Sequence, residues 1–187
     1  DLAIESRYIH CDAALCGGYA AFLEPRPAWD FEDGADSIAI SGHKFIGAPI
    51  PCGIVMARRA HVERIGHSVA YIGSVDTTIS GSRNGFTPLL LWYAIRRLGI
   101  EGMRQRIEHS LDTAAYAERR FTESGIEAWR NPQALTVVFP QPPQAVREHW
   151  QLASAGGYSH LICMPHIQRE QVDRLIADIL SAESGGS

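Results

Sequence analysis

The sequence predicts an α/β fold in two parts, and three observations lead to this prediction. Short apolar runs in the first third end in glycine, proline or polar residues, as buried strands do. Two stretches in the middle have the apolar spacing of helices and meet at Gly99. The last third alternates strand and helix twice, which favours a small α+β unit built on an antiparallel sheet.

The first third contains three predicted strands, over residues 7–11, 37–41 and 52–57, followed by a short predicted helix over 60–65. Asp12 comes directly after the first strand. Open α/β sheets bind their ligands at the carboxyl ends of strands. We therefore expect Asp12 to lie at a binding site.

The middle of the chain begins with an irregular segment over 66–85 that is rich in glycine, serine and threonine, which predicts a long functional loop. Thr87 is the predicted N-cap of a helix that runs to Leu98 and stops at Gly99. A longer helix is predicted over 101–123. The remaining strands and helices are predicted in alternation over 135–139, 144–153, 160–164 and 169–180.

The composition excludes several classes of function. The net charge is −4 and the basic residues are scattered, so neither nucleic acid nor an anionic membrane is an expected partner. No apolar run approaches the roughly 20 residues that cross a bilayer. The four cysteines are dispersed, without a CxxC pair, which predicts free thiols in a cytoplasmic protein and neither a metal site nor disulfides.

The sequence Ser41-Gly42-His43-Lys44 contains the only lysine of the 187 residues, whereas arginine supplies the other 16 basic side chains. Arginine stays protonated, but lysine can lose its proton and form a Schiff base. A compositional bias that left one surface lysine would explain the count equally well. The neighbouring residues must therefore decide between the two explanations.

Asp12 and Lys44 end two successive predicted strands, and together they suit pyridoxal phosphate. This cofactor needs an amine, a carboxylate beside its pyridine nitrogen, and donors for its phosphate. Lys44 and Asp12 supply the first two, and Ser41 and His43 lie near enough in sequence to contact the phosphate. Each residue also has a structural explanation, since an aspartate after a strand often forms a turn and a loop histidine often only hydrogen-bonds the loop.

Four motifs in this order resemble the group II amino-acid decarboxylases, which are pyridoxal-phosphate enzymes of the aspartate-aminotransferase-like fold (fold type I). The similarity extends over about residues 7–180 and is greatest to bacterial histidine decarboxylases, with plant serine decarboxylases also similar. It implies that 1–86 is the carboxyl-terminal part of the large cofactor-binding domain, and that 87–187 is a linking helix and a small α+β domain. The motifs are His10-Cys11-Asp12-Ala13-Ala14, Ser41-Gly42-His43-Lys44, Pro51-Cys52-Gly53 and Gly81-Ser82-Arg83-Asn84-Gly85.

The resemblance also implies roles for individual residues. Asp12 would pair with the pyridine nitrogen, and Ala14 would lie against the ring. Lys44 would carry the Schiff base to the cofactor. His43 and Ser41 would sit close to the phosphate.

Other implied roles concern neighbouring parts of a complete enzyme. Ser82 matches a position that reaches the phosphate of the neighbouring subunit, which implies a homodimer. His10 would support Asp12. The family's glycine-rich phosphate loop and ring-stacking residue precede the region that matches this chain, so an amino-terminal half would be needed to complete the site.

The implied reaction is decarboxylation of L-histidine to histamine and carbon dioxide. Phe86 stands where histidine-specific members often have histidine, so serine or another small amino acid stays open as the substrate. A non-catalytic fragment or assembly subunit also stays open, although Asp12, His43 and Lys44 are all intact. A Rossmann-type nucleotide binder is disfavoured because no GxGxxG follows a strand.

Overall fold

The computed structural model describes residues 7–69, 73–78 and 81–184. Its chain divides into two compact units, the first ending at Met103 and the second beginning at Arg104. The first helical segment of the middle region therefore belongs to the first unit.

The first unit contains a three-stranded sheet of β1 (His10–Asp12), β2 (Ser37–Ser41) and β3 (Gly53–Ala57) in that order. All three predicted strands are confirmed, although the first is shorter than predicted. β1 runs parallel to β2, whereas β3 is antiparallel to β2. The parallel pairing places the carboxyl ends of β1 and β2 at the same edge of the sheet.

Small residues after β1 let the chain pack closely on β2. Two short 3₁₀ turns cover Cys16–Gly18 and Ala20–Phe22. A Cβ atom at Gly17 would lie only 2.6 Å from Cγ1 of Ile40, so glycine is needed there. Ile38 and Ile40 are buried, and the apolar side of β2 thereby becomes the core of this unit.

The segment 66–85 is not wholly irregular, and that prediction is wrong in part. After α1 (Arg59–Ile65), a two-stranded antiparallel hairpin pairs β4 (His67–Val69) with β5 (Ser74–Asp76). Gly73 has φ of 64°, a conformation that tight turns between strands commonly need. Residues 70–72 and 79–80 of the segment lie outside the described residues.

The long helix α2 (Phe86–Glu123) is interrupted at Gly99, where φ is 60° and ψ is −173°. The two predicted helical segments are therefore confirmed, with the break at the predicted residue. The prediction that Thr87 is the N-cap is wrong, because the helix already begins at Phe86. Instead the Asn84 side chain accepts hydrogen bonds from the backbone N–H and the hydroxyl of Thr87, both at 2.8 Å.

The second unit packs helices on an antiparallel sheet, as predicted. The sheet has the order β6-β8-β7. Phe121 of α2 stacks on Phe139 of β6 at 4.4 Å between ring centroids, and both are fully buried. The sequence did not reveal the two-residue strand β7. The elements of this unit after α2 are β6 (Thr136–Pro140), α3 (Gln144–Trp150), β7 (Ser154–Ala155), β8 (Tyr158–Ile162) and α4 (Arg169–Ser184).

All four cysteines are free in the structure. None of the helices in the described ranges combines the length and the apolar composition of a membrane-spanning segment.

Asp36 connects the amino ends of β1 and β2 to helix α1. Its Oδ2 accepts the Ile9 N–H at 2.8 Å, and its Oδ1 lies 3.1 Å from Nε2 of His61. The bond from Ile9 and then that from His61 hold the pKa of the Asp36 carboxyl below its ordinary value. The ionised carboxylate therefore contributes stability above the unfolded-state pKa, about 3.9, and that contribution is lost as pH falls through the lower folded-state pKa.

Replacing Asp36 with asparagine should lower stability at neutral pH and reduce the further loss of stability on acidification. Urea unfolding midpoints at neutral pH and below about pH 4 measure both effects. Glu63→Gln is the matched control, because Glu63 is an exposed carboxylate on α1 with no hydrogen bond or ion pair in the described structure. An unchanged dependence of the midpoint on pH in Asp36→Asn would contradict this prediction.

Candidate active site

Two backbone hydrogen bonds bring the ends of β1 and β2 together. The N–H of Ala13 donates to the Ala39 carbonyl at 2.9 Å, and the N–H of Ser41 donates to the Ala14 carbonyl at 3.0 Å. The turn that follows Asp12 is thereby joined to the turn that contains Lys44. These contacts bring together the two motifs in which the sequence predicted a cofactor site.

Asp12 is exposed at the end of β1, with one carboxylate oxygen held in place. Oδ1 accepts the backbone N–H of Ala14 at 3.1 Å, which forms a turn of the aspartate type. Within the described ranges the other oxygen, Oδ2, has no hydrogen-bond partner. Asp12 is therefore both a turn residue and a carboxylate that keeps one oxygen available for a ligand.

His10 is bonded to the neighbouring strand, and its predicted support of Asp12 stays a prediction. Its Nδ1 lies 2.6 Å from Oγ of Ser37, the residue opposite it in the parallel ladder. Ser37 is buried, so this bond satisfies a polar group inside the sheet. His10 therefore links β1 to β2.

Lys44 is presented to solvent by a tight turn. The N–H of Lys44 donates to the Ser41 carbonyl at 3.2 Å. The next two side chains, Phe45 and Ile46, are buried at 1% and 8% exposure and fix the turn to the core. The amine has no hydrogen-bond or ion-pair partner in the part of the chain that the structure describes. Lys44 is therefore an accessible primary amine on a fixed backbone.

Gly42 allows this turn to pass close to β3 and α2. A Cβ atom at residue 42 would lie 2.6 Å from Sγ of Cys52 and 2.9 Å from Cδ1 of Leu91. Any side chain at this position would have to displace both neighbours. The glycine of the Ser-Gly-His-Lys motif is thus a packing requirement.

His43 is exposed, but one of its ring nitrogens is held by the backbone of residue 52. The N–H of Cys52 donates to Nδ1 at 3.0 Å, and the Cys52 carbonyl oxygen lies 3.1 Å from the same nitrogen. The motif Pro51-Cys52-Gly53 was identified in the sequence, but the sequence did not predict that the main chain of Cys52 contacts His43. Pairing of Ser41 with Gly53 at the ends of β2 and β3 produces this contact.

The thiols beside the site are poor nucleophiles. Burial raises the pKa of the Cys16 thiol, and Coulomb repulsion from Cys11 raises it further. Burial likewise raises the pKa of Cys11, with a further contribution from the neighbouring Asp12. Both thiols therefore stay protonated at neutral pH.

The predicted site residues are only partly assembled. Ser41 is half-buried and Ala14 lies beside Asp12, so both belong to the same edge of the sheet. Ser82 is exposed in the loop before α2, and within the described ranges no hydrogen bond joins it to Asp12 or Lys44. Among the described residues, no group of histidine, cysteine and acidic side chains is arranged to hold a metal ion.

The donor set of this edge meets the needs of pyridoxal phosphate. Asp12 offers an unpaired carboxylate oxygen, Lys44 offers an accessible amine, and His43 and Ser41 offer groups that can donate to a phosphate. These groups lie on two turns that hydrogen-bond each other through Ala14. The residues therefore fit this cofactor.

A family model described as the pyridoxal-dependent decarboxylase conserved domain matches residues 3–139. The chain is 52% identical over 179 residues to a histidine decarboxylase of Mesorhizobium japonicum. It is 49% identical over 179 residues to a histidine decarboxylase of Morganella morganii. The aligned regions cover 96% and 95% of this chain but 48% and 47% of the relatives. The chain thus spans about half the length of the relatives it matches.

Two solved decarboxylase structures have a fold similar to that of this chain. L-methionine decarboxylase from Streptomyces sp.590 superposes with a TM-score of 0.82 at 35% identity, covering 93% of this chain and 41% of that one. Glutamate decarboxylase of Lactobacillus brevis superposes with a TM-score of 0.76 at 22% identity, covering 95% and 46%. The mixed α/β architecture is therefore part of the fold shared by these decarboxylases.

Proposed function

Because the chain belongs to the pyridoxal-dependent decarboxylase family, we propose that the whole protein converts L-histidine to histamine and carbon dioxide. Identities of 52% and 49% to bacterial histidine decarboxylases support L-histidine as the substrate. The joined turns of Asp12 and Lys44 support the chemistry, since they provide the groups that the family's cofactor requires.

Pyridoxal phosphate is the cofactor, and residues of this chain would hold it at the edge of β1 and β2. When bound, it accepts the electron pair released from the bond that breaks, so that carbon dioxide can leave. Asp12 would place its carboxylate beside the pyridine nitrogen, since the Ala14 N–H fixes the orientation of that carboxylate. Lys44 provides the anchoring amine. His43 and Ser41 provide phosphate donors.

The same residues also explain how reactivity is directed. Lys44 would hold the cofactor through its amine, and this role requires an accessible lysine. The buried side chains of Phe45 and Ile46 fix the backbone from which this amine extends. Orientation supplies much of the rate in such a site, because bound groups react as if at high local concentration.

We further propose that an amino-terminal half and a second subunit complete the protein, with Ser82 reaching the neighbouring subunit's phosphate. The first segment of α2 supports this proposal because it leaves four large apolar side chains more than half exposed. An uncovered apolar surface of this kind marks an interaction site. The four side chains are Phe86, Leu89, Trp92 and Tyr93.

We also propose a cytoplasmic location, which the free cysteines support.

The test is a substrate panel on the intact protein, whose mass and oligomeric state are measured first. We expect histamine from L-histidine, with a clear preference over L-serine and L-methionine. L-Methionine is included because a methionine decarboxylase shares the fold at 35% identity. If amine formed mainly from serine or methionine, the proposed substrate would be wrong, but the proposed decarboxylation would stand. Absence of both cofactor binding and amine formation would instead identify a non-catalytic member of the family.

A further inference from the structure

The second unit contains an apolar cavity of about 230 Å³, which none of the residues of the proposed reaction lines. It lies between the end of α3, strand β8 and the first turns of α4. Val172 and Leu175 are each 1% exposed and form its closed end, whereas the other apolar side chains are half-buried at its opening. The apolar lining consists of Trp150, Leu152, Leu161, Ile167, Val172 and Leu175.

Hydrogen bonds hold two walls of this cavity in place. The indole N–H of Trp150 donates to Oδ2 of Asp178 at 2.8 Å, which joins α3 to α4. The Ile167 N–H donates to the Met164 carbonyl at 2.9 Å. The Ile167 carbonyl lies 3.0 Å from Nε2 of His109 and, being an acceptor, receives its proton. The segment before α4 is therefore fixed at both its N–H and its carbonyl.

The opposite wall is fixed by the main chain. The Leu152 N–H donates to the Arg147 carbonyl at 2.9 Å, which closes the turn after α3. Leu161 is paired with Val137 in the antiparallel ladder of β8 and β6. The cavity is thus formed before any ligand arrives, so little side-chain and loop ordering opposes binding.

The lining favours an uncharged ligand. Among the described residues, no ionisable side chain lines the cavity, so a charged group would lose its hydration without gaining a counter-charge. Two polar atoms of the lining are already bonded within the protein. The Trp150 indole is bonded to Asp178, and Oε1 of Gln171 accepts the Gln168 N–H at 2.9 Å. A ligand therefore gains chiefly by burying apolar surface.

The volume of the cavity limits the size of the ligand. An apolar cavity of about 150 Å³ in a protein core stays free of water and binds benzene. The cavity in this chain, about 230 Å³, has room for such a ring and a short alkyl substituent. The Trp150 indole in its wall offers the ring an aromatic neighbour.

We propose that this cavity is a binding site for a small uncharged aromatic molecule of the size and polarity of an alkylbenzene. The inference goes beyond the proposed function, because it concerns the second unit alone and requires neither the cofactor nor decarboxylation. A further part of the whole protein that filled the cavity would prevent binding, so the test uses the intact protein.

The probe is 4-fluorotoluene, and its binding to the intact protein is followed by fluorine-19 NMR. We expect a saturable change in its chemical shift that excess toluene reverses. Carbon-13 spectra of the methyl groups locate the site. The methyl signals of Ile167 and Val172 should shift as the probe binds, whereas those of Leu180, an exposed residue of α4 outside the lining, should not.

Two substitutions fill the cavity from different walls. Leu152→Trp and Ile167→Trp both replace a half-buried side chain at the opening, so the larger ring can enter the cavity without displacing the buried core. Each should weaken binding of 4-fluorotoluene about tenfold or more. Leu180→Trp is the matched control, because it adds the same ring outside the lining, and its affinity should stay within about twofold. Thermal unfolding shows whether each variant is folded.

The inference is overturned if the unmodified protein gives no saturable shift, since the cavity would then be closed or filled in the whole protein. Saturable binding without a shift of the Ile167 and Val172 methyl signals would place the probe elsewhere and has the same meaning. So does unchanged affinity in a folded Leu152→Trp or Ile167→Trp. If both variants failed to fold, the methyl signals of the unmodified protein would decide. The proposed function is tested separately, because no readout here involves pyridoxal phosphate.

Discussion

Lys44→Ala in the intact protein should abolish the absorbance of lysine-bound pyridoxal phosphate and reduce amine formation by roughly 10²–10⁴-fold or more. No second lysine in these 187 residues can replace the missing amine. The exposed position of Lys44 means that alanine creates no cavity, so the folded state should be retained. Absorbance spectra, histamine assays and thermal unfolding measure the three expectations.

Lys44→Arg is the matched variant for charge. Arginine keeps the positive charge but cannot form a Schiff base, so this variant should be as inactive as Lys44→Ala. Reduction of the unmodified, cofactor-loaded protein with borohydride should place one phosphopyridoxyl group on the peptide containing Lys44. A label found mainly elsewhere, or substantial activity in Lys44→Arg, would show that Lys44 is not the anchoring residue.

The sequence correctly predicted elements that depend on residues close to one another in the chain. β2 was predicted at its observed bounds because the apolar run Ser37–Ser41 is flanked by breaks on both sides. The interruption at Gly99 was predicted because glycine readily adopts the positive φ found there. Asp12 and Lys44 were predicted to end two successive strands, and the bond between Ser41 and Ala14 shows that their two turns lie together.

Contacts between residues far apart in sequence could not be predicted in this way. The bond from His10 to Ser37 depends on the register of two parallel strands, which no local pattern specifies. The bond from Cys52 to His43 depends in the same way on the antiparallel register of β2 and β3. The roles of Ser82 and of the predicted second subunit stay predictions, because they depend on parts of a larger assembly.

Asp12→Asn should reduce amine formation by roughly 10²–10⁴-fold while leaving the stability of the fold nearly unchanged. Asparagine can still accept the Ala14 N–H through its side-chain oxygen, so the turn after β1 is retained. It carries no negative charge, so it cannot stabilise a protonated pyridine nitrogen. The substitution therefore separates the turn-forming role of Asp12 from its electrostatic role.

Asp12→Ala removes both roles and is the comparison that completes this test. It should match Asp12→Asn in lost activity, but it should also unfold at a lower urea concentration because the Ala14 N–H loses its acceptor. If Asp12→Asn kept nearly full activity and only Asp12→Ala lost it, Asp12 would be a turn residue and the carboxylate partner would have to be sought elsewhere. Equal activity losses with unequal stabilities would instead assign to Asp12 the negative charge that the proposed reaction requires.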